Sequence, residues 1–355
     1  MLVQTINLKN NERMKKFFLL IVLLAFSCQR NNDSLKHSLM NQDWEFKMIS
    51  SGDNRPNFGP TNDSIHFIPI LLNQGFELEE IREHFNWTKK SFDEKVETLY
   101  ESEFLKKDER GIVKANVLIF TIEDGITIRK SILPVVQEIT ESIIARYKFI
   151  VSKTKQIDCL KDFDFEAISL YMLSNILLDD GQIENVEREY LKVERPLRGG
   201  KRYYAAYLGK EKGSLYESFG IYGNQMEGYE GFSLCRYGNQ RWLPEVMKTN
   251  ESLKWQYKDS LKRKELNIPV ITEACNQELL WVANDFKPEL LRLLRKYDST
   301  LRKGYLEFTN SSQLNYEEYF IWLYHILYTE ITENLIDREL IEIPEDKVSF
   351  YILQF

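Results

Sequence analysis

The sequence predicts an α+β protein, mainly helical, with a central antiparallel β-meander and a helical C-terminal region that ends in a strand. Three observations predict it. Apolar residues recur at helical spacing between Ile65 and Ile150, and again between Asn276 and Leu335. Nine of the 16 glycines fall between Gly199 and Gly238, interleaved with seven tyrosines, a strand-and-turn pattern. After Pro344 the residues Val348–Phe355 read as an extended strand that pairs into the core. With 355 residues, 43% hydrophobic and 28% charged, the chain is neither a disordered tail nor a cysteine-dense miniprotein.

The first element in order is an address signal. Met14-Lys15-Lys16 precedes a ten-residue apolar run, Phe17 to Phe26, and then Ser27-Cys28. This is the layout of a secretory signal peptide, and the run is too short to remain as a membrane span. A cysteine at the end of the apolar run resembles the bacterial lipoprotein class, in which the thiol takes a diacylglyceryl group before cleavage. Ala25, where leucine is usual, and the bulky Phe26 depart from the commonest form of that motif. The resemblance implies lipid attachment at Cys28 and a place in the bacterial cell envelope, anchored to membrane on its periplasmic or surface side. Plain secretion by cleavage near Ser27 is the alternative. Met14 is read as the true start and residues 1–27 as removed. Their loss takes four of the 47 basic side chains (Lys9, Arg13, Lys15, Lys16) and one of the 54 acidic ones (Glu12), leaving a net charge of −10. So acidic a body does not suit a polyanion, and attachment would rest on the acyl chains.

Residues 28–64 are rich in Asn, Asp, Ser, Gly and Pro and are expected to be a flexible tether. Trp44 and Phe46 alternate with Glu45 and Lys47, the pattern of a short strand docking back on the body. A module over 65–130 follows. Ile65, Ile68, Leu71 and Leu72 share a helical face ended by Gly75; Leu78, Ile81 and Phe85 make a second; Thr88 caps a third with Phe92, Val96 and Leu99. A charged turn, Lys106–Gly111, then leads into the β-rich stretch Ile112–Ile122. Three helices and a hairpin resemble a winged helix-turn-helix. The resemblance suggests DNA, but Thr61–Gly125 holds 14 acidic residues against eight basic ones, and the would-be recognition helix carries Asp93, Glu94, Glu97 and Glu101. Nucleic-acid binding rests on neutralising phosphates, so no nucleic-acid partner is expected.

Helices are predicted over Ser131–Ile150 and Phe165–Leu178, the latter closing at Asp179-Asp180-Gly181, read as turn residues rather than a metal or acid pair. Tyr203–Leu208, Ser214–Tyr222 and Gly231–Tyr237 are the three strands of the expected meander within residues 131–242. The C-terminal region, 243–355, has helices at Asn276–Asp285, Glu289–Tyr297 and Tyr316–Leu335, the last with the stripe Phe320, Leu323, Leu327, Ile331 and Leu335.

Chemistry is harder to find. His37, His66, His84 and His325 are scattered and no HExxH occurs; GxSxG, P-loop and GxGxxG motifs are missing too. No metal and no cofactor is expected. Cys159, Cys235 and Cys275 lack CxxC spacing and read as buried small hydrophobes, with one internal disulfide as the alternative. One cationic cluster stands out in the acidic chain. Arg195, Arg198, Lys201 and Arg202 surround Gly199-Gly200 beside Tyr203-Tyr204, a loop able to grip a carboxylate, phosphate or sugar, or else a solvated hairpin turn. The candidate ligand-binding residues are thus Arg198, Lys201, Arg202 and Tyr203. The function read from these features is a lipid-anchored envelope protein that works as a non-catalytic protein–protein adaptor. An envelope enzyme acting on glycan or peptide through a dispersed site is the alternative, and a DNA-binding regulator ranks last.

Overall fold

The computed structural model describes residues 38–50, 54–308 and 314–355. The signal segment, Cys28 and the first part of the tether lie outside the described residues. The fold is mixed α+β and mainly helical, and Trp44–Phe355 forms one compact unit. Within the expected tether, the alternation at Trp44 and Phe46 becomes strand β1 (Asp43–Ile49).

Three helices come next: α1 (Phe67–Asn73), α2 (Leu78–His84) and α3 (Lys89–Glu101). Gly75, at φ +87°, ends the first by taking the left-handed conformation that side chains disfavour. Thr88 caps α3, its hydroxyl accepting the Ser91 N–H at 3.2 Å. The stretch expected to be one β-rich run divides. β2 (Leu105–Lys107) and β3 (Val113–Ala115) make an antiparallel hairpin, whereas β4 (Leu118–Phe120) leaves it for another sheet.

The next helix, α4 (Ile122–Thr154), starts nine residues before the predicted Ser131. Thr121 and Asp124 form a capping box that the apolar spacing does not reveal: the Thr121 hydroxyl accepts the Asp124 N–H at 3.2 Å, and the Asp124 carboxylate accepts the Thr121 N–H at 2.8 Å. The end of the expected module, 65–130, therefore lies inside α4, and Gly125 is in its first turn. A Cβ there would fall 2.2 Å from the Phe219 ring, so the close approach requires glycine. Helix α5 (Phe165–Leu170) runs on into a π-helical stretch, Tyr171–Ile176, and the short α6 (Ile183–Asn185) does the same over Val186–Leu191.

The antiparallel meander is the main correction. β5 (Leu197–Arg198) and β6 (Lys201–Arg202) form a small hairpin, but β7 (Tyr204–Lys210) sits between β1 and β4, parallel to β4. Ser214–Tyr222 is a turn with a 3-10 segment at Ser218–Gly220, not a strand. The true partner of β9 (Phe232–Gly238) is β8 (Gly223–Tyr229). The physical reason lies in burial. Tyr204 to Gly209 is buried without alternation, as a central strand covered on both faces must be, so its partners come from far along the chain. Helix α7 (Pro244–Lys258) and strand β10 (Val270–Ile271) precede α8 (Glu273–Lys296), which continues through Pro288 where two helices were expected. After α9 (Asp298–Glu307) come α10 (Tyr316–Asp337) and β11 (Ser349–Gln354). The C-terminal strand is inserted between β10 and β9, parallel to the first and antiparallel to the second.

Helix α10 is the centre of the core. The predicted stripe is buried, but so are residues on its other sides, from Tyr319 through Thr329 without a break. Helices α4 and α9 and the π-helical stretch Tyr171–Ile176 pack around it, and a disulfide joins Cys159 to Cys275, overturning the reading of these as free core thiols; Cys235 stays free and buried. Leu327→Ala removes an enclosed side chain and should cost about 2–5 kcal/mol. Denaturant titration checks this, and a loss under about 0.5 kcal/mol would be inconsistent with an enclosed α10.

Candidate functional site

The cationic loop resolves into a fastener. Gly199 and Gly200, at φ +54° and +79°, make a two-residue turn that needs left-handed backbone at both positions, which closes β5 on β6. Arg198 then points inward. It is 2% exposed, pairs with the buried Glu318 at the start of α10, and donates to the carbonyls of Glu103 at 2.8 Å and Asn116 at 2.5 Å. Burial pushes the Glu318 carboxyl upward, and the Arg198 guanidinium opposes that shift. The other members stay local. Arg195 grips Glu187 through two bonds of 2.8 and 2.9 Å, Arg202 pairs with Glu194 at 2.9 Å, and Lys201 faces Arg198 across the hairpin. Tyr203 is buried, its phenol pushed up to about 12 by that burial.

Arg198 and Tyr203 line one wall of a cavity of about 380 Å³, opposite Arg55, Phe58, Thr98 and Ser102; Lys201 and Arg202 do not reach it. Of the four residues singled out in the sequence, the structure thus brings two together. The recess can hydrogen-bond a small polar molecule. The Thr98 hydroxyl, however, is bonded to the Glu94 carbonyl at 2.9 Å, and the charge of Arg198 is directed to Glu318.

A second polar cluster escaped sequence reasoning because its members are distant along the chain. On β1, Glu45 accepts from Lys210 at 2.7 Å and from the Ser218 N–H at 2.9 Å; Lys47 pairs with Glu45 at 3.1 Å and with Glu217, which also binds Arg241 at 3.1 Å. Burial alone would raise the Glu45 carboxyl, but Lys47, Lys210 and the Ser218 N–H outweigh it and bring it down to about 2. Burial and the neighbouring Arg241 bring Lys47 down to about 8 against the pull of Glu45. The network locks β1 onto β7 and the turn after it. In that turn Phe219 takes φ +55°, held by Arg129 through its carbonyl.

Asp179 lies in the expected turn, its carbonyl accepting the Gln182 N–H at 2.9 Å. Its side chain is buried, which raises the carboxyl well above the usual range, with Asp180 adding to the shift and a bond to Tyr328 opposing it. His325 is buried and His66 half-buried, and desolvation lowers each imidazole to about 4. Among the described residues no group of three or more His, Cys, Asp and Glu is placed to hold a metal ion.

A further open feature is aromatic. On α4, Phe149 is 41% exposed, and on α8, Trp281 is 50% exposed. Lys153 lies between them, 5.8 Å from the Phe149 ring and 5.1 Å from the Trp281 ring. Beside them a shallow cavity of about 210 Å³ is lined by Lys153, Gln156, Ile157, Glu278, Trp281 and Val282. The Cys159–Cys275 disulfide, with Cα atoms 6.2 Å apart, ties the segment after α4 to the first turn of α8 next to this groove. Phe149 and Lys153 stand four apart on one helix, a signal present in the sequence; that Trp281 faces them was not.

No family model matches the chain, and neither the curated proteins nor the solved structures include a match to it.

Two outcomes test this geometry. Arg198→Ala should cost about 3–5 kcal/mol by leaving Glu318 buried without a partner, and a double variant, Arg198→Met with Glu318→Leu, should recover much of it in denaturant titrations. The imidazole signals of His66 and His325 in an NMR titration should move near pH 4. A folded pKa below the unfolded 6.5 means their stabilisation is complete above pH 6.5 and lost as pH falls from 6.5 toward 4. Midpoints near 6.5 would place both rings in water.

Proposed function

We propose that this chain is an exported envelope protein, anchored through acyl chains on Cys28, whose folded body is a non-catalytic adaptor for a protein partner. The observation that carries the reading is the groove of Phe149, Lys153, Ile157, Trp281 and Val282. Half-exposed aromatic rings beside a cation and a shallow recess of mixed polarity are the composition of an interface hot spot. The disulfide supports export, since such bonds persist in oxidising compartments outside the cytoplasm, and it holds the groove's two helices in a fixed relation.

In this reading residues 65–130 are a winged-helix-like module whose surface is turned to a use other than DNA. Asp93, Glu94 and Glu97 are exposed on α3, where Lys89 and Lys90 are already directed to Asp93 and Glu94 at 3.4 and 4.0 Å. Unspent positive charge, which phosphate recognition requires, is scarce there.

The test compares three forms in the native envelope. The parent chain should carry an acyl label and fractionate with membranes. Cys28→Ser should lose both. Trp281→Ala, at an exposed position, should keep the label and the unfolding temperature yet lose about tenfold or more of its co-purified partner, the scale of an aromatic hot spot. An unlabelled parent refutes the anchor, and partner recovery unchanged by Trp281→Ala refutes the groove.

A further inference from the structure

A second exposed surface has different chemistry. On α7, Val246, Asn250 and Tyr257 face the interior, so Lys248, Trp255 and Lys258 occupy the opposite side of the helix. Trp255 is 64% exposed, and Leu261, just past the helix end, is 83% exposed. Lys254 and Lys258 flank the indole at 5.7 and 5.6 Å. From Glu251 to Glu265 five cations (Lys254, Lys258, Lys262, Arg263, Lys264) meet three acids, Glu251, Asp259 and Glu265, a local excess of positive charge in a chain whose net charge is −7; Lys254 pairs with Glu251 at 3.1 Å.

We propose that this convex end of α7 docks on the surface of an anionic lipid bilayer, with Trp255 and Leu261 entering the headgroup region and the cations meeting lipid phosphates. The combination decides the occupant. An indole with its polar N–H and apolar ring, a bare leucine and a ring of lysines match the graded polarity of the membrane–water interface. A projecting leucine that is almost wholly in water suits a deformable surface better than a rigid protein face. The acidic remainder does not prevent contact, because charges farther away than the screening length of about 8 Å at physiological salt are weakly felt. The inference is independent of acylation, and for an anchored chain it would set which side of the body faces the membrane.

The test uses the chain from Gln29 to Phe355, which contains the whole compact unit and lacks Cys28, so the outcome does not depend on the anchor. Co-sedimentation is measured with vesicles of phosphatidylglycerol mixed with phosphatidylcholine, and with vesicles of phosphatidylcholine alone. Binding is expected only to the anionic vesicles, falling as salt rises. Replacing Lys254, Lys258 and Lys262 by alanine should weaken partitioning roughly 100-fold, since each basic residue near such a surface contributes about fivefold. Trp255→Ala with Leu261→Ala should lower it at least tenfold without changing the unfolding temperature, as both residues are exposed. Equal binding to neutral vesicles, no binding to either, or variants that partition like the parent would overturn the proposal. So would retention on immobilised polyglutamate without vesicle binding, which would assign the surface to an acidic protein.

Discussion

A helix that carries large apolar and aromatic side chains around its whole circumference cannot lie on a surface, and Tyr316–Asp337 is such a helix. Its enclosure organises the rest of the body. Several polar groups that it carries inward meet partners from different parts of the chain: Tyr324 donates to the Leu178 carbonyl at 2.6 Å, Tyr328 to the Tyr222 carbonyl at 2.8 Å, and the Thr332 and Ser174 hydroxyls lie 2.6 Å apart, whereas the Tyr319 hydroxyl and the Trp322 indole N–H are buried without a hydrogen-bond partner. At its start Glu318 is matched by Arg198. These pairings matter more for which arrangement forms than for total stability. A net hydrogen bond contributes only about 1 kcal/mol, whereas a buried group left without a partner costs about 1–3 kcal/mol.

The same requirement explains the π-helical stretch over Tyr171–Ile176. One extra residue per turn re-aims side chains, and here Ser174 reaches both Thr332 and Tyr237, while Asn175 meets Asn224 and Tyr351. It also explains the loop at Gly199-Gly200. What composition presents as a cationic ligand trap is a clamp that inserts one guanidinium between the hairpin, the end of α3 and the start of α10.

The two exposed aromatic–cationic features differ in shape and surroundings. Phe149, Lys153 and Trp281 flank a recess held by a disulfide, which suits a partner with a matching projection. Trp255 and Leu261 project from a helix end amid positive charge, which suits a fluid anionic layer. An anchored protein that used both would hold its body in one orientation while presenting the groove.

Much of the local structure was legible in residue spacing. The three short helices with their Gly75 stop and Thr88 cap, the stripe of α10 and the C-terminal strand follow from periodicity and capping chemistry, which act over four or five residues. The segment Met14–Cys28, read as an export signal, is likewise a local pattern, and that reading rests on sequence alone. Strand partnership was not legible. Tyr204–Lys210 pairs with Leu118–Phe120, and Ser349–Gln354 enters between Val270–Ile271 and Phe232–Gly238, because burial on both faces selects neighbours that no local pattern names. The Cys159–Cys275 bond, the inward turn of Arg198 and the close approach at Gly125 were decided in the same way. Each depends on a group between about 80 and 120 residues away in sequence, or, for the Gly125–Phe219 contact, on the room that one missing Cβ leaves. Local chemistry sets where an element begins and ends; only the packed structure decides what stands beside it.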